Sequence, residues 1–259
     1  EFSPERVLNH MMQHILNNDA NIDYIFPLDA DEFIYCPSRE KLNAFLTLIP
    51  QNRVGMYTWR GYLPHSTEYD PDFIFHFTDQ RKEEILTPKV IIPRAIAETC
   101  ILTIGSHSVR DKEGKEVQSI VFIGSNNQQF YYWFINRFNA EFIETNDLWL
   151  GHYPIRSTIQ QIKKVLEKSI TMVMEKKGYR DSAWENQLRD LLSHNMNISL
   201  DELRLIAYKY RASDAEHTQV ARKQPLRATK LELKYQHLIN NDPLPILAKL
   251  ILDLAEKLR

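Results

Sequence analysis

The segment Leu28-Asp29-Ala30-Asp31-Glu32-Phe33 ends the apolar run Tyr24-Ile25-Phe26 with three carboxylates in four residues. Two residues apart in an extended chain, Asp29 and Asp31 point the same way, and such oxygen donors suit Mg²⁺ or Mn²⁺ holding a phosphate-bearing ligand. The plain alternative is an Asp-x-Asp in a surface turn, bonding its own backbone. The hydrophobic run before it favours the metal. A second stretch, Leu148-Trp149-Leu150-Gly151-His152, carries an apolar strand into an imidazole, and Pro154 then turns the chain. His152 at a strand end could ligate the same cation. Taken alone, it would read as a hydrogen-bonded structural histidine.

Elements must bring these groups together. Residues 24–28 read as a buried parallel-type strand, and the carboxyl ends of such strands are where open α/β sheets bind ligands. Before it, Ser3-Pro4-Glu5 caps a helix carrying Val7, Leu8, Met11, Met12, Ile15 and Leu16. A chain that starts α then β is expected to lack the first strands of its fold. After the acids come a helix capped by Ser38 and strands over 53–63, 73–77, 90–96, 101–109 and 117–123. Asp111-Lys112-Glu113-Gly114 signals a hairpin between the last two. Residues 130–142 fit helical spacing better than a strand. Ser157 and Gln160 form a capping box for a long helix closed near Gly178.

Beyond Gly178 the pattern predicts two short helices, one around Trp184 to Leu192 and one capped by Ser199 and Glu202. A polar loop over 211–230, a short strand over 231–238 and a last helix striped by Ile246, Leu250, Leu254 and Leu258 follow. The reading is an α/β catalytic domain over 1–178 and a mostly helical extension over 179–259.

Composition excludes several classes. The 259 residues carry 32 Lys and Arg against 34 Asp and Glu, a net charge of −2 that leaves no basic footprint for nucleic acid. Cys36 and Cys100 are the only cysteines, too few for a disulfide framework and in keeping with a reducing compartment. No apolar run reaches membrane-spanning length, and the first residues do not read as a signal peptide. With 7 glycines the chain has no Walker-type or dinucleotide-type loop.

Leu28-Asp29-Ala30-Asp31-Glu32-Phe33 and, much later, His152-Tyr153-Pro154-Ile155-Arg156-Ser157 opening a helix resemble the family 2 type glycosyltransferases. The likeness is to the subgroup with Leu-Asp-x-Asp-Glu-Phe and His-Tyr-x-x-Arg/Lys-Ser motifs. Pro88-Lys89-Val90-Ile91-Ile92 and Gly105-Ser106-His107 also resemble its pattern, and the similarity covers roughly residues 1 to 175. The resemblance implies a GT-A fold, a nucleotide-sugar donor, a saccharide or glycolipid acceptor and inversion. Asp31 would bind Mn²⁺ or Mg²⁺ directly, Asp29 would face the ribose or reach the metal through water, and His152 would match the family's metal-binding histidine; Lys89 and Arg156 would also bind the nucleotide sugar, Arg156 at its phosphates. It also implies a cytoplasmic protein, or one peripheral to the inner membrane, serving cell-surface polysaccharide synthesis.

Deprotonating an acceptor hydroxyl needs a base, and Asp70, Asp72, Glu98 and His107 are candidates. The bland readings are loop acids for the first two, a solvent-facing acid for Glu98 and a structural imidazole for His107. Two other functions compete. A haloacid-dehalogenase-type phosphatase also places Asp-x-Asp after an apolar strand, with Asp29 as nucleophile and Lys89 as its lysine. A non-catalytic carbohydrate-binding module on the same scaffold would need neither metal nor nucleotide.

Overall fold

Strand β3 (Val54–Gly61) is the axis of the sheet, and all eight of its residues are buried. Val54 and Met56 join one apolar layer and Tyr57 and Trp59 the other, so the strand carries apolar residues on both faces. The computed structural model describes residues 4–70, 72–81, 85–103, 107–124, 140–174, 183–194, 196–209 and 220–222. The chain divides into two compact units, Glu1–Tyr62 with Gln80–Pro154 and Tyr208–Ala221, and Leu63–Asp79 with Ile155–Ala207 and Arg222–Arg259. Each unit draws on both sides of the boundary expected at residue 178.

The first unit is a mixed α/β sheet flanked by helices. The two-residue β1 (Tyr24–Ile25) pairs antiparallel with β5 (Ile85–Pro93), and β5 pairs antiparallel with β3. The other edge of β3 is shared: β8 (Ser119–Ile123) runs parallel along Val54 to Tyr57, and β10 (Trp149–His152) runs parallel along Trp59 to Gly61. The sheet ends in β9 (Ala140–Glu144), parallel to β8, and β2 (Glu32–Tyr35), antiparallel to β10. Helix α1 (Pro4–Asn18) lays Met12 and Leu16 on the layer of Val54, Met56, Val90, Ile92 and Val121. On the opposite layer, Leu42, Phe45 and Leu46 of α2 (Arg39–Thr47) cover Tyr57, Ile91, Phe122 and Leu150.

Several sequence expectations need correction. The acid-bearing strand is not parallel: β1 is antiparallel to β5, and the acids follow it in a turn, where Glu32 N–H donates to the Asp29 carbonyl at 3.0 Å. Residues 73–77 form a one-turn helix, α3 (Phe73–His76), because the Asp70 carbonyl accepts from Phe73 N–H and its carboxylate from Asp72 N–H. The turn chemistry of Asp70 overrides the β propensity of the aromatic run. The strand expected over 90–96 stops at Pro93, and α4 (Arg94–Ala97) replaces its end. The strand expected over 101–109 is two strands, β6 (Ile101–Thr103) and β7 (Ser108–Arg110), paired antiparallel. Asp111 to Gly114 does make a tight turn, but the expected hairpin is limited to the Arg110 to Glu116 bridge, since β7 pairs with β6 while β8 pairs with β3 and β9.

Of the residues 130–142 expected as a helix, 140–142 belong to β9, whose partner β8 supplies a ladder that periodicity does not reveal; 130–139 lie outside the described residues. Within the polar loop expected over 211–230 stands a short strand, β11 (Val220–Arg222), which forms a two-stranded sheet with β4 (Asp79–Arg81). The strand at 231–238 and the final helix fall outside the described residues.

In the second unit, α5 (Thr158–Met174), α6 (Ala183–Ser193) and α7 (Leu200–Lys209) match the three predicted helices. The capping box is present with a shift of one residue: Gln160 N–H donates to Ser157 Oγ, while Gln160 Oε1 accepts from Arg156 N–H. At α7 it is reciprocal, with Ser199 N–H on Glu202 Oε2 and Glu202 N–H on Ser199 Oγ. No helix among the described residues is long and apolar enough to cross a membrane.

Candidate metal and phosphate site

Strand direction places the acids. β3, β8, β9 and β10 run the same way, and the chain from β1 to β2 must cross the edge where β3 and β10 end. Residues 26–31 make that crossing, so Asp29 and Asp31 lie at the carboxyl ends of the parallel strands. His152 is the last residue of β10 and pairs across to Glu32, and Asp31 is tied in by Tyr153 N–H donating to its carbonyl at 2.9 Å.

The result is that His152 Nε2 stands 3.7 Å from Asp31 Oδ2. The imidazole is buried and stacked on the Trp59 indole, with centroids 4.3 Å apart and planes 29° apart. The register explains the stack: Leu150 pairs with Trp59, and side chains two residues apart on β10 share a face, so the indole covers His152. His107 meets the same indole edge-on at 5.4 Å and bonds the Pro88 carbonyl through Nδ1 at 2.8 Å. A carbonyl only accepts, so Nδ1 carries the proton and Nε2 is the basic nitrogen of the neutral ring.

Asp29 is held differently. Lys89, fully buried on β5, donates to Asp29 Oδ2 at 2.9 Å and lies 3.2 Å from Glu32 Oε2. Glu32 Oε2 also accepts Asp29 N–H at 2.8 Å. Burial pushes the Glu32 carboxyl up to about 7, with the Lys89 ammonium and the Asp29 N–H pulling the other way. The equal orientation expected for Asp29 and Asp31 therefore does not occur. Their segment is a turn, one carboxylate faces a lysine and the other an imidazole. Alternation holds only in an extended chain.

Comparison with protein-family models, curated proteins and solved structures finds no match to this chain. What its side chains can do rests on their own chemistry.

Two donors of one oxygen and one nitrogen at this spacing fit a single divalent cation, and an imidazole in the set suits Mn²⁺ better than Mg²⁺. Among the described residues, Asp29 does not join Asp31 and His152 in a three-ligand group; the group that closes within 4.8 Å is His65, Asp70 and His76 in the second unit.

The remaining candidates are divided between the two units. Glu98, at the end of α4, is exposed and paired with Arg94 at 2.7 Å. Asp70 and Asp72 belong to the second unit, where Asp70 is bound by its histidine neighbours and by Asp72 N–H. Arg156 also lies there, its guanidinium 5.3 Å from the Phe73 ring centroid. Of the four bases, His107 alone shares Trp59 with His152. Sequence reasoning missed Trp59 and the buried role of Glu32. The first was one of several strand aromatics, and the second lay inside the motif but carried no separate signal.

Proposed function

We propose that the protein is a metal-dependent glycosyltransferase of GT-A type, moving a sugar from a nucleotide-sugar donor to a saccharide or glycolipid acceptor. The observation that carries this reading is the approach of His152 to Asp31 at the carboxyl ends of the parallel strands. Asp31 and His152 would hold Mn²⁺, which when bound neutralises the charge that builds on a departing nucleoside diphosphate. Lys89 keeps Asp29 oriented, with more than half of that side chain exposed, as a group facing a donor's ribose must be. Trp59 fixes the imidazole plane from one side and excludes water there. His107 is the base candidate that the geometry favours, since its ring meets the same Trp59 indole as His152 and is fixed by its bond to the Pro88 carbonyl. The family resemblance adds inversion, cell-surface polysaccharide synthesis and a place in the cytoplasm or at the inner membrane face.

A thermal-shift panel of nucleotide sugars with and without Mn²⁺ tests the reading, because a ligand that binds only the folded state raises its melting temperature. A rise that needs both the metal and a nucleoside diphosphate is expected, and Asp31→Asn should abolish it. No response to any nucleotide sugar would sink the proposal. The Lys89 contact also suits a phosphatase with Asp29 as nucleophile. That reading requires a phosphoaspartate, which mass spectrometry after acid quench with a phosphate ester would reveal.

A further inference from the structure

In the second unit, the described residues between Leu63 and Asp79, α3 among them, are pinned at three places. Leu63 N–H donates to the Asp79 carbonyl at 2.9 Å, closing its base. Arg204 of α7 donates to the Pro64 carbonyl at 2.9 Å and also to the Asp79 carboxylate. Thr158 N–H, at the start of α5, donates to the Thr67 carbonyl at 2.9 Å.

On this frame three side chains converge. His76 Nδ1 lies 2.7 Å from Asp70 Oδ2, and His65 Nε2 lies 3.4 Å from the same oxygen. The two imidazoles meet edge to face with centroids 5.8 Å apart. Asp70 is partly buried, at 13% side-chain exposure, while His65 and His76 are open to solvent. Its other oxygen, Oδ1, accepts Asp72 N–H at 2.9 Å, which turns Oδ2 toward both rings. That bond is the support from outside the donor set that ligating carboxylates characteristically have.

We propose that His65, Asp70 and His76 form a binding site for a first-row divalent cation, Zn²⁺ foremost, separate from the Asp31 and His152 pair. Two imidazole nitrogens and one carboxylate oxygen are a donor set that Zn²⁺ takes, leaving a fourth position for water or a substrate oxygen. Bonds of about 2.0–2.2 Å at tetrahedral angles put ligand atoms roughly 3.4 Å apart. The His65 to Asp70 separation already has that value, at 3.4 Å. The His76 to Asp70 contact is a hydrogen bond whose proton would leave when the cation enters, and the exposed ring on a one-turn helix can open by the small remaining distance. The alternative, two imidazoles merely donating to the lone pairs of one loop carboxylate oxygen with His65 packed on the Phe77 ring, predicts no uptake of metal, and titration separates the two.

The test is a Zn²⁺ titration by calorimetry on the full chain carrying Asp31→Asn, with Co²⁺ substitution read by its tetrahedral absorption bands. One ion per chain is expected in that background, so the outcome is independent of the transferase proposal. His65→Ala and His76→Ala should each weaken binding by at least about tenfold, the lower limit for disturbing a metal's supporting shell. Glu68→Gln, a neighbouring exposed acid outside the group, should bind as the parent does. Circular dichroism keeps folding apart from ligation, and His65→Asn and His76→Gln are held in reserve should an alanine variant unfold. Unchanged affinity in the folded histidine variants overturns the proposal, as does loss of all Zn²⁺ binding through Asp31→Asn alone.

Discussion

His152 Nε2 faces Asp31 Oδ2 at 3.7 Å because β10 pairs antiparallel with β2, and the pair His152 with Glu32 carries the register one residue short of the aspartate. Asp31→Asn should remove Mn²⁺-dependent binding of a nucleoside diphosphate, by calorimetry, while leaving the melting temperature nearly unchanged. His152→Ala should weaken metal affinity roughly 10–100-fold as well. Unlike Asp31, the imidazole is buried on Trp59, so this variant should also lose about 1–3 kcal/mol of stability. Normal metal-dependent binding in both variants would be the failing result.

Lys89 is enclosed between Asp29 and Glu32. Replacing it with Met leaves Glu32 buried without its cation, and removing one partner of a buried pair costs about 3–5 kcal/mol. Urea denaturation at pH 8 should show a loss of that order. At pH 6 the loss should be smaller, since Glu32 then takes up a proton. Combining Lys89→Met with Glu32→Gln should recover much of the stability, and strict additivity of the two changes would contradict the coupling.

Glu32 also sets a pH dependence. Its folded value of about 7 lies above the ordinary 4.5, so between these limits the folded state holds the extra proton. Stability contributed by this group is therefore present below about 4.5 and is lost as pH rises to about 7, by about 3 kcal/mol at most. The difference in unfolding free energy between the parent and Glu32→Gln should fall across that window and stay flat above it. A difference that does not vary with pH would rule the shift out.

Gly151 sits in β10 beside the ring of Tyr35, and an added Cβ would lie 2.3 Å from its edge. Tyr35 cannot swing away, being stacked between Trp149 at 5.3 Å and Tyr62 at 5.8 Å and touching the Tyr153 hydroxyl. Gly151→Ala should cost about 1–3 kcal/mol and, by displacing β10, weaken Mn²⁺ binding at the adjacent His152. Thermal unfolding and metal titration of the same sample check both effects together.

The sequence by itself determined the elements with strong local signals. The long helix after Ser157, the cap at Ser199 and the buried strand around Trp59 all follow from capping chemistry and hydrophobic periodicity. It also marked Asp29, Asp31 and His152 as chemistry at element ends. It could not say that Asp29 turns to Lys89 while Asp31 turns to His152, because a turn and an extended chain share the same spacing and only the sheet's crossing fixes which one forms. Short aromatic segments were beyond it too: Phe73–His76 is helical because Asp70 bonds its backbone. The burial of Lys89, the stack of Trp59 on His152 and the meeting of His65 with His76 at Asp70 join residues from different elements, and such contacts are settled by strand register and loop anchoring, which no local pattern encodes.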